Sequence, residues 1–288
     1  MCMIVIGVLG ISLSSIFVKY STAPSAVTAA FRLLWTVLLM TPMVFGNKTV
    51  REELFHTDKK TIFLSALSGF FLALHFVLWF ESLSHTTVAS STTIVCTEVI
   101  WVAFVFCFFM KGHLSKKAIF AIAITLIGSI MIAYSDSFAS NSHLYGDLLS
   151  LFAAIAVAVY TLIGRMVRKT VSTSVYTYVV YSVCAIVLVI LCNVQGHSLF
   201  TTDYTFSAVI VGFLLAIFST ILGHSIFSWC LKYFSPAFVS ASKLCEPVVA
   251  AILAGFLFQE MPTLIQILGG LLILGGVLYY SKVEEEIS

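Results

Sequence analysis

Two glutamates, Glu98 and Glu246, stand near the middle of long apolar runs. An ionised side chain at bilayer depth costs about 2.5–3.5 kcal/mol to insert, so each is a functional candidate from the outset. A carboxylate there can carry a coupling proton or hold the cationic group of a small solute. The plain alternative is a structural hydrogen bond to a neighbouring helix. Lys243 lies one turn before Glu246, on the same helical face. Pro247 has no N–H, so the carbonyl of residue 243 loses its helical partner and the helix can open at that point. Two readings of the Lys243/Glu246 pair stay open. It is a clamp for a zwitterion, lysine facing a carboxylate and glutamate an amine, or a private ion pair that makes lysine tolerable in lipid.

Further polar and aromatic candidates lie on other runs. His75 has Trp79 one turn on, and His224 sits among Thr220, Gly223 and Ser228. A histidine here shuttles protons or bonds a substrate, or else ties two helices together. Trp79, Trp101 and Tyr160 suit the wall of a cavity for aromatic or quaternary-ammonium cargo, although 25 phenylalanines make plain packing aromatics the background. Arg32, about two turns from a helix end, is expected to snorkel to the outer interface, with steering of an anionic group as the minor reading. Seven cysteines show no CxxC pair or metal spacing. No catalytic set, metal site or cofactor fingerprint is found, and the basic loops are not nucleic-acid patches.

The elements that must position these residues follow from composition. The chain of 288 residues is 60% hydrophobic and only 10% charged, with a mean hydropathy of +1.07. So few charges cannot cover a water-facing surface, whereas lipid removes the need. A hydrocarbon core about 30 Å thick takes roughly 20 apolar residues per helix. Ten such runs are present, near 2–18, 26–45, 61–82, 87–109, 118–134, 145–165, 173–193, 207–231, 237–258 and 264–281. Met1 enters the first run with no basic leader, so that helix is expected to be retained. Of fifteen Lys and Arg, twelve fall in alternate loops, Lys19 alone falls in the others, and Arg32 and Lys243 lie within helices. This bias places both termini in the cytoplasm.

An internal repeat runs at an offset of 148 residues: Leu83 with Leu231, Ala89 with Ala237, Glu98 with Glu246, Ala103 with Ala251, Leu126 with Leu274, and Gly128 with Gly276. Five helices per copy is an odd number, so the second copy enters the membrane from the opposite side. The expected fold is therefore an all-α integral membrane protein of ten transmembrane helices, arranged as two inverted five-helix repeats. The repeats are residues 1–134 and 145–281, and 282–288 form a cytoplasmic tail. Inverted repeats are an architecture of secondary transporters, which bind substrate near the midplane.

The second copy carries Cys245-Glu246-Pro247-Val248, then Phe256-Leu257-Phe258-Gln259-Glu260, then Gly269-Gly270 and Gly275-Gly276. These residues resemble the signature of the ten-helix EamA-type branch of the drug/metabolite transporter superfamily. The first copy departs from it, with Val99 in place of a frequent proline and Gly112 in place of the glutamate matched by Glu260. The resemblance implies a transporter of the cytoplasmic membrane, secondary or facilitative, that moves a small polar metabolite by alternating access. An amino acid or related compound, exported, is the favoured cargo, although nothing in the chain itself shows direction. The expected partners are that substrate, a coupling proton and the lipid bilayer. A choline-like organic-cation carrier is the rival within transport, and a membrane-embedded enzyme or scaffold the remote one.

Overall fold

The computed structural model describes residues 2–86, 88–136, 144–249, 252–253 and 263–285, and among these residues every regular element is a helix. In chain order the helices are α1 (Cys2–Ser12), α2 (Ser14–Lys19), α3 (Ser25–Gly46), α4 (Lys48–His56), α5 (Lys59–Ser82), α6 (Val88–Cys96), α7 (Glu98–Phe108) and α8 (Lys116–Asp136). There follow α9 (Leu144–Val167), α10 (Thr173–Val194), α11 (Thr205–Leu214), a π-helical segment (Leu215–His224), α12 (Ser225–Cys230), α13 (Pro236–Lys243) and α14 (Leu264–Glu285). Seven helical spans among the described residues are long and apolar enough to cross a membrane.

Starts are set by local chemistry. Asp58 accepts from Thr61 N at 3.0 Å to cap α5, and Ser172 accepts from Val175 N at 3.3 Å to cap α10. Pro236 occupies the first turn of α13, where its missing N–H costs nothing. The one helix that the apolar runs did not announce is α4, which Asn47 caps by accepting from Thr49 N and Val50 N. It has no buried residue, so it is a surface element.

Several spans are interrupted. Leu13 separates α1 from α2, and Thr97 separates α6 from α7. α13 stops at Lys243, turns through Leu244 and Cys245, and the chain is helical again over 246–249. Glu98 and Glu246 thus each open the helix that follows a break. The π-helical stretch is held by hydroxyls reaching back five residues, Thr220 Oγ1 to the Leu215 carbonyl and Ser225 Oγ to the Thr220 carbonyl, both at 3.2 Å.

Several helix boundaries keep the 148-residue register. α3 and α10 begin at residues 25 and 173 and end at 46 and 194. α6 and α13 begin at 88 and 236, and α8 and α14 at 116 and 264. α8 packs on α14 through glycines. A Cβ at Gly128 would lie 2.5 Å from the Gly269 carbonyl oxygen, and one at Gly276 would lie 2.6 Å from Thr125 Cγ2 and 3.2 Å from the Ala121 carbonyl oxygen. Residue 128 thus meets 269 while 121 meets 276, so α8 and α14 run antiparallel.

Among the described residues two large apolar clusters fill most of the interior, beside a small third one of Val102, Ala158 and Leu162. The larger joins α3, α5, α9, α10 and α11 around Leu33, Leu72, Phe76, Val157 and Val180. The other joins α1, α8, α12, α13 and α14 around Val8, Ala121, Cys230, Val239 and Ile273. Large apolar side chains also cover the outside, among them Leu38, Phe63, Phe120, Ile186 and Leu271. That pattern is wrong for water and right for lipid.

Candidate functional site

A cavity of about 40 Å³ lies where the two clusters meet, room for a few water molecules. Ile11, Val95 and Val157 supply its apolar wall, while Glu98, Lys243 and Glu246 supply its charge. All three charged residues are buried. Lys243 Nζ donates to Glu98 Oε1 at 2.8 Å, so the ion pair joins the end of α13 to the start of α7. The lysine also lies 5.5 Å from the Phe227 ring centroid.

The partner of Lys243 corrects the sequence reading, which paired it with Glu246. A spacing of three residues aligns two side chains only along an unbroken helix, and the chain turns at Leu244 and Cys245. Glu246 forms no ion pair among the described residues, although the charges of both Lys243 and Arg32 act on it. The helix does open beside Pro247, as its missing N–H implies. The Lys243 carbonyl instead accepts from Cys96 Sγ at 4.0 Å, across to the break at Thr97.

His75, Trp79 and His224 also line the cavity. His75 Nδ1 bonds the Ala153 carbonyl at 3.1 Å. A carbonyl can only accept, so Nδ1 carries the proton and Nε2 is left for a ligand. Trp79 stacks on the His75 ring at 5.9 Å with 14° between planes. His224, on the π-helical segment, packs edge-on to His75, Phe76 and Tyr160. Tyr160 stands one layer back, its hydroxyl 2.9 Å from Ser228 Oγ. Trp79 Nε1 and His224 Nδ1 are buried without a hydrogen-bond partner among the described residues.

Two further residues depart from expectation. Trp101 lies off the cavity and is 36% exposed. Val99 and Val102 are buried, whereas Trp101 lies on the flank of α7 shared with exposed Phe104 and Phe108. Arg32 does not snorkel but is completely buried. Its Nε donates to Thr220 Oγ1 at 2.8 Å and its Nη1 to Ser14 Oγ at 3.2 Å, and its guanidinium covers the Phe76 ring at 4.1 Å. Ser14 lines the cavity, so Arg32 is one hydroxyl behind its wall. The signal that could have found it was the run of small polar residues Ser12, Ser14 and Ser15 on the facing helices. Among the described residues no three His, Cys, Asp or Glu side chains converge as metal ligands.

These features define a polytopic helical membrane protein whose interior encloses a charged cavity. The chain matches the model of the EamA-like transporter family over residues 1–134 and 144–282, and it belongs to that family. An uncharacterized transporter of Synechocystis sp. is 26% identical, the alignment covering 96% of this chain and 86% of the relative. An uncharacterized transporter of Archaeoglobus fulgidus is 21% identical over 86% of this chain and 85% of its own length. The uncharacterized transporter YxxF of Bacillus subtilis is 22% identical over 91% and 82%. A chain of known crystal structure, 14% identical, superposes with a TM-score of 0.78 over 100% of this chain and 98% of its own, a likeness of fold alone. The protein is a multi-pass membrane protein of a transporter family.

Proposed function

We propose that the chain is a secondary active or facilitative transporter that moves a small polar metabolite, an amino acid or related compound, outward across the cytoplasmic membrane by alternating access. In this reading ten transmembrane helices form two inverted five-helix repeats, residues 1–134 and 145–281, followed by a tail at 282–288. Both termini are cytoplasmic. Helix boundaries in a common 148-residue register support it, as does the reciprocal antiparallel packing of α8 and α14.

The observation that carries the reading is the charged cavity at the seam. Two helix breaks in the same register bring Glu98, Lys243 and Glu246 to one buried point. Broken helices with uncommitted polar groups at their ends are where secondary transporters hold substrates and coupling ions. Rocking one packed body against the other would open the cavity to alternate sides. Glu246 would bind the substrate's cationic group or a coupling proton, and the Lys243–Glu98 pair would tie the first five-helix repeat to the second when the cavity is closed. Purified protein in liposomes, tested for release of trapped radiolabelled amino acids, is the direct test. Efflux no faster than from protein-free liposomes, for amino acids and every other small polar solute tried, would end the reading.

An organic-cation carrier is the second reading. The positive charge of Lys243 would repel such a cargo, but that charge is already neutralised by Glu98. Choline and other quaternary amines therefore belong in the same efflux panel.

A further inference from the structure

We propose that Arg32 is the anion subsite of this cavity, so that the cargo is a zwitterion held by its carboxylate at Arg32 and by its ammonium at Glu246. The inference rests on the transport reading above and adds the chemistry of the substrate to it.

Four charged side chains are buried at the seam, and two of them already satisfy each other as Lys243–Glu98. Arg32 and Glu246 remain, and neither forms an ion pair among the described residues. Among the described residues Arg32 has only neutral hydroxyls, on Thr220 and Ser14, for hydrogen-bond partners, and its Nη2 has none. A fully buried guanidinium with an idle donor is unusual, since buried polar groups are nearly always hydrogen-bonded. Trp79 Nε1 and His224 Nδ1, on lining residues of the neighbouring α5 and π-helical segment, are idle as well. Unused hydrogen-bonding capacity is thus gathered on one side of the cavity.

A carboxylate fits that side. It would displace the Ser14 hydroxyl and accept from Nη1 and Nη2 together, the forked geometry that guanidinium favours. Charge balance selects the rest of the molecule. Arg32 and Glu246 sum to zero, and a zwitterion compensates both while leaving the cavity neutral. A bare cation would leave Arg32 uncompensated in a desolvated site, and a bare anion would leave Glu246 so.

Matched triads of probes test this on the purified full-length protein: phenylalanine, phenethylamine and 3-phenylpropionate, and leucine, isopentylamine and 4-methylpentanoate. Binding is read by calorimetry and transport by liposome efflux. The wild type should bind the amino acids more tightly than either truncated partner. Arg32→Gln should weaken amino-acid binding about tenfold or more, down to the level of the amine, and leave amine binding unchanged. Trp79→Phe removes one N–H but keeps an aromatic ring to stack on His75. It should act in the same direction more weakly, and it stands in if Arg32→Gln does not fold. Amines that bind the wild type as tightly as the amino acids would overturn the subsite. So would variants that weaken all three members of a triad equally, since that is the mark of a structural tie. Transport of an amino acid indifferent to Arg32 would remove the subsite and keep the transporter. No transport of any solute would remove the transporter itself.

Discussion

At the scale of the residue, Glu98 and Glu246 hold equivalent places in a repeat and have different surroundings. Glu98 is bound to Lys243 at 2.8 Å, and Glu246 has no such partner among the described residues. Removing one member of the buried pair leaves a stranded charge, so Glu98→Gln and Lys243→Met should each cost about 3–5 kcal/mol of stability. The double variant should recover most of that loss. Thermal melting in one detergent across the three variants measures it, and a double variant as unstable as the worse single would show that the pair is not private to these two residues. Both glutamates were legible from sequence because an acid at membrane depth is rare and the 148-residue register repeats it. Arg32 was misread for a physical reason. Distance from a helix end says how far a side chain must reach to leave the membrane, not which helices close over it. Here the hydroxyls of Ser14 and Thr220, from two distant segments, make burial tolerable.

At the scale of the element, the breaks in the helices do most to shape the site. Pro247 announced one of them, because a missing N–H frees a known carbonyl. The break at Thr97 has no proline, and its place in the register was its only sign. The π-helical segment that presents Thr220 and His224 had no sign in the hydropathy pattern, since widening a helix leaves its apolar run intact. Glycine packing offers a contrast within one dipeptide of α14, Gly275-Gly276. A Cβ at Gly276 would come within 2.6 Å of Thr125, whereas one at Gly275 would meet nothing within 4 Å. Gly276→Val should therefore destabilise by about 1–3 kcal/mol through overpacking against α8. Gly275→Ala should be neutral or stabilise by up to about 1 kcal/mol, the usual gain of replacing glycine inside a helix. Equal melting shifts for the two would contradict the antiparallel seating of α14 on α8.

At the scale of the whole molecule, the distribution of basic residues and the doubled register make one statement about topology. Reporter fusions after Lys111 and Lys169 should read as cytoplasmic, and one after Gln195 as external. A cytoplasmic reading at Gln195 would contradict the inverted halves. Composition alone made the membrane class plain, because so many large apolar side chains had to face lipid. The partners around the cavity were not plain, because contacts such as Lys243–Glu98 join residues 145 apart in the chain. The account's central claim is that this cavity is the transport site, and Glu246 tests it most directly. Glu246 has no ion pair to lose among the described residues, so Glu246→Gln should insert and melt like the wild type while efflux from liposomes falls at least about tenfold. Wild-type efflux from an equal amount of incorporated Glu246→Gln protein would contradict it.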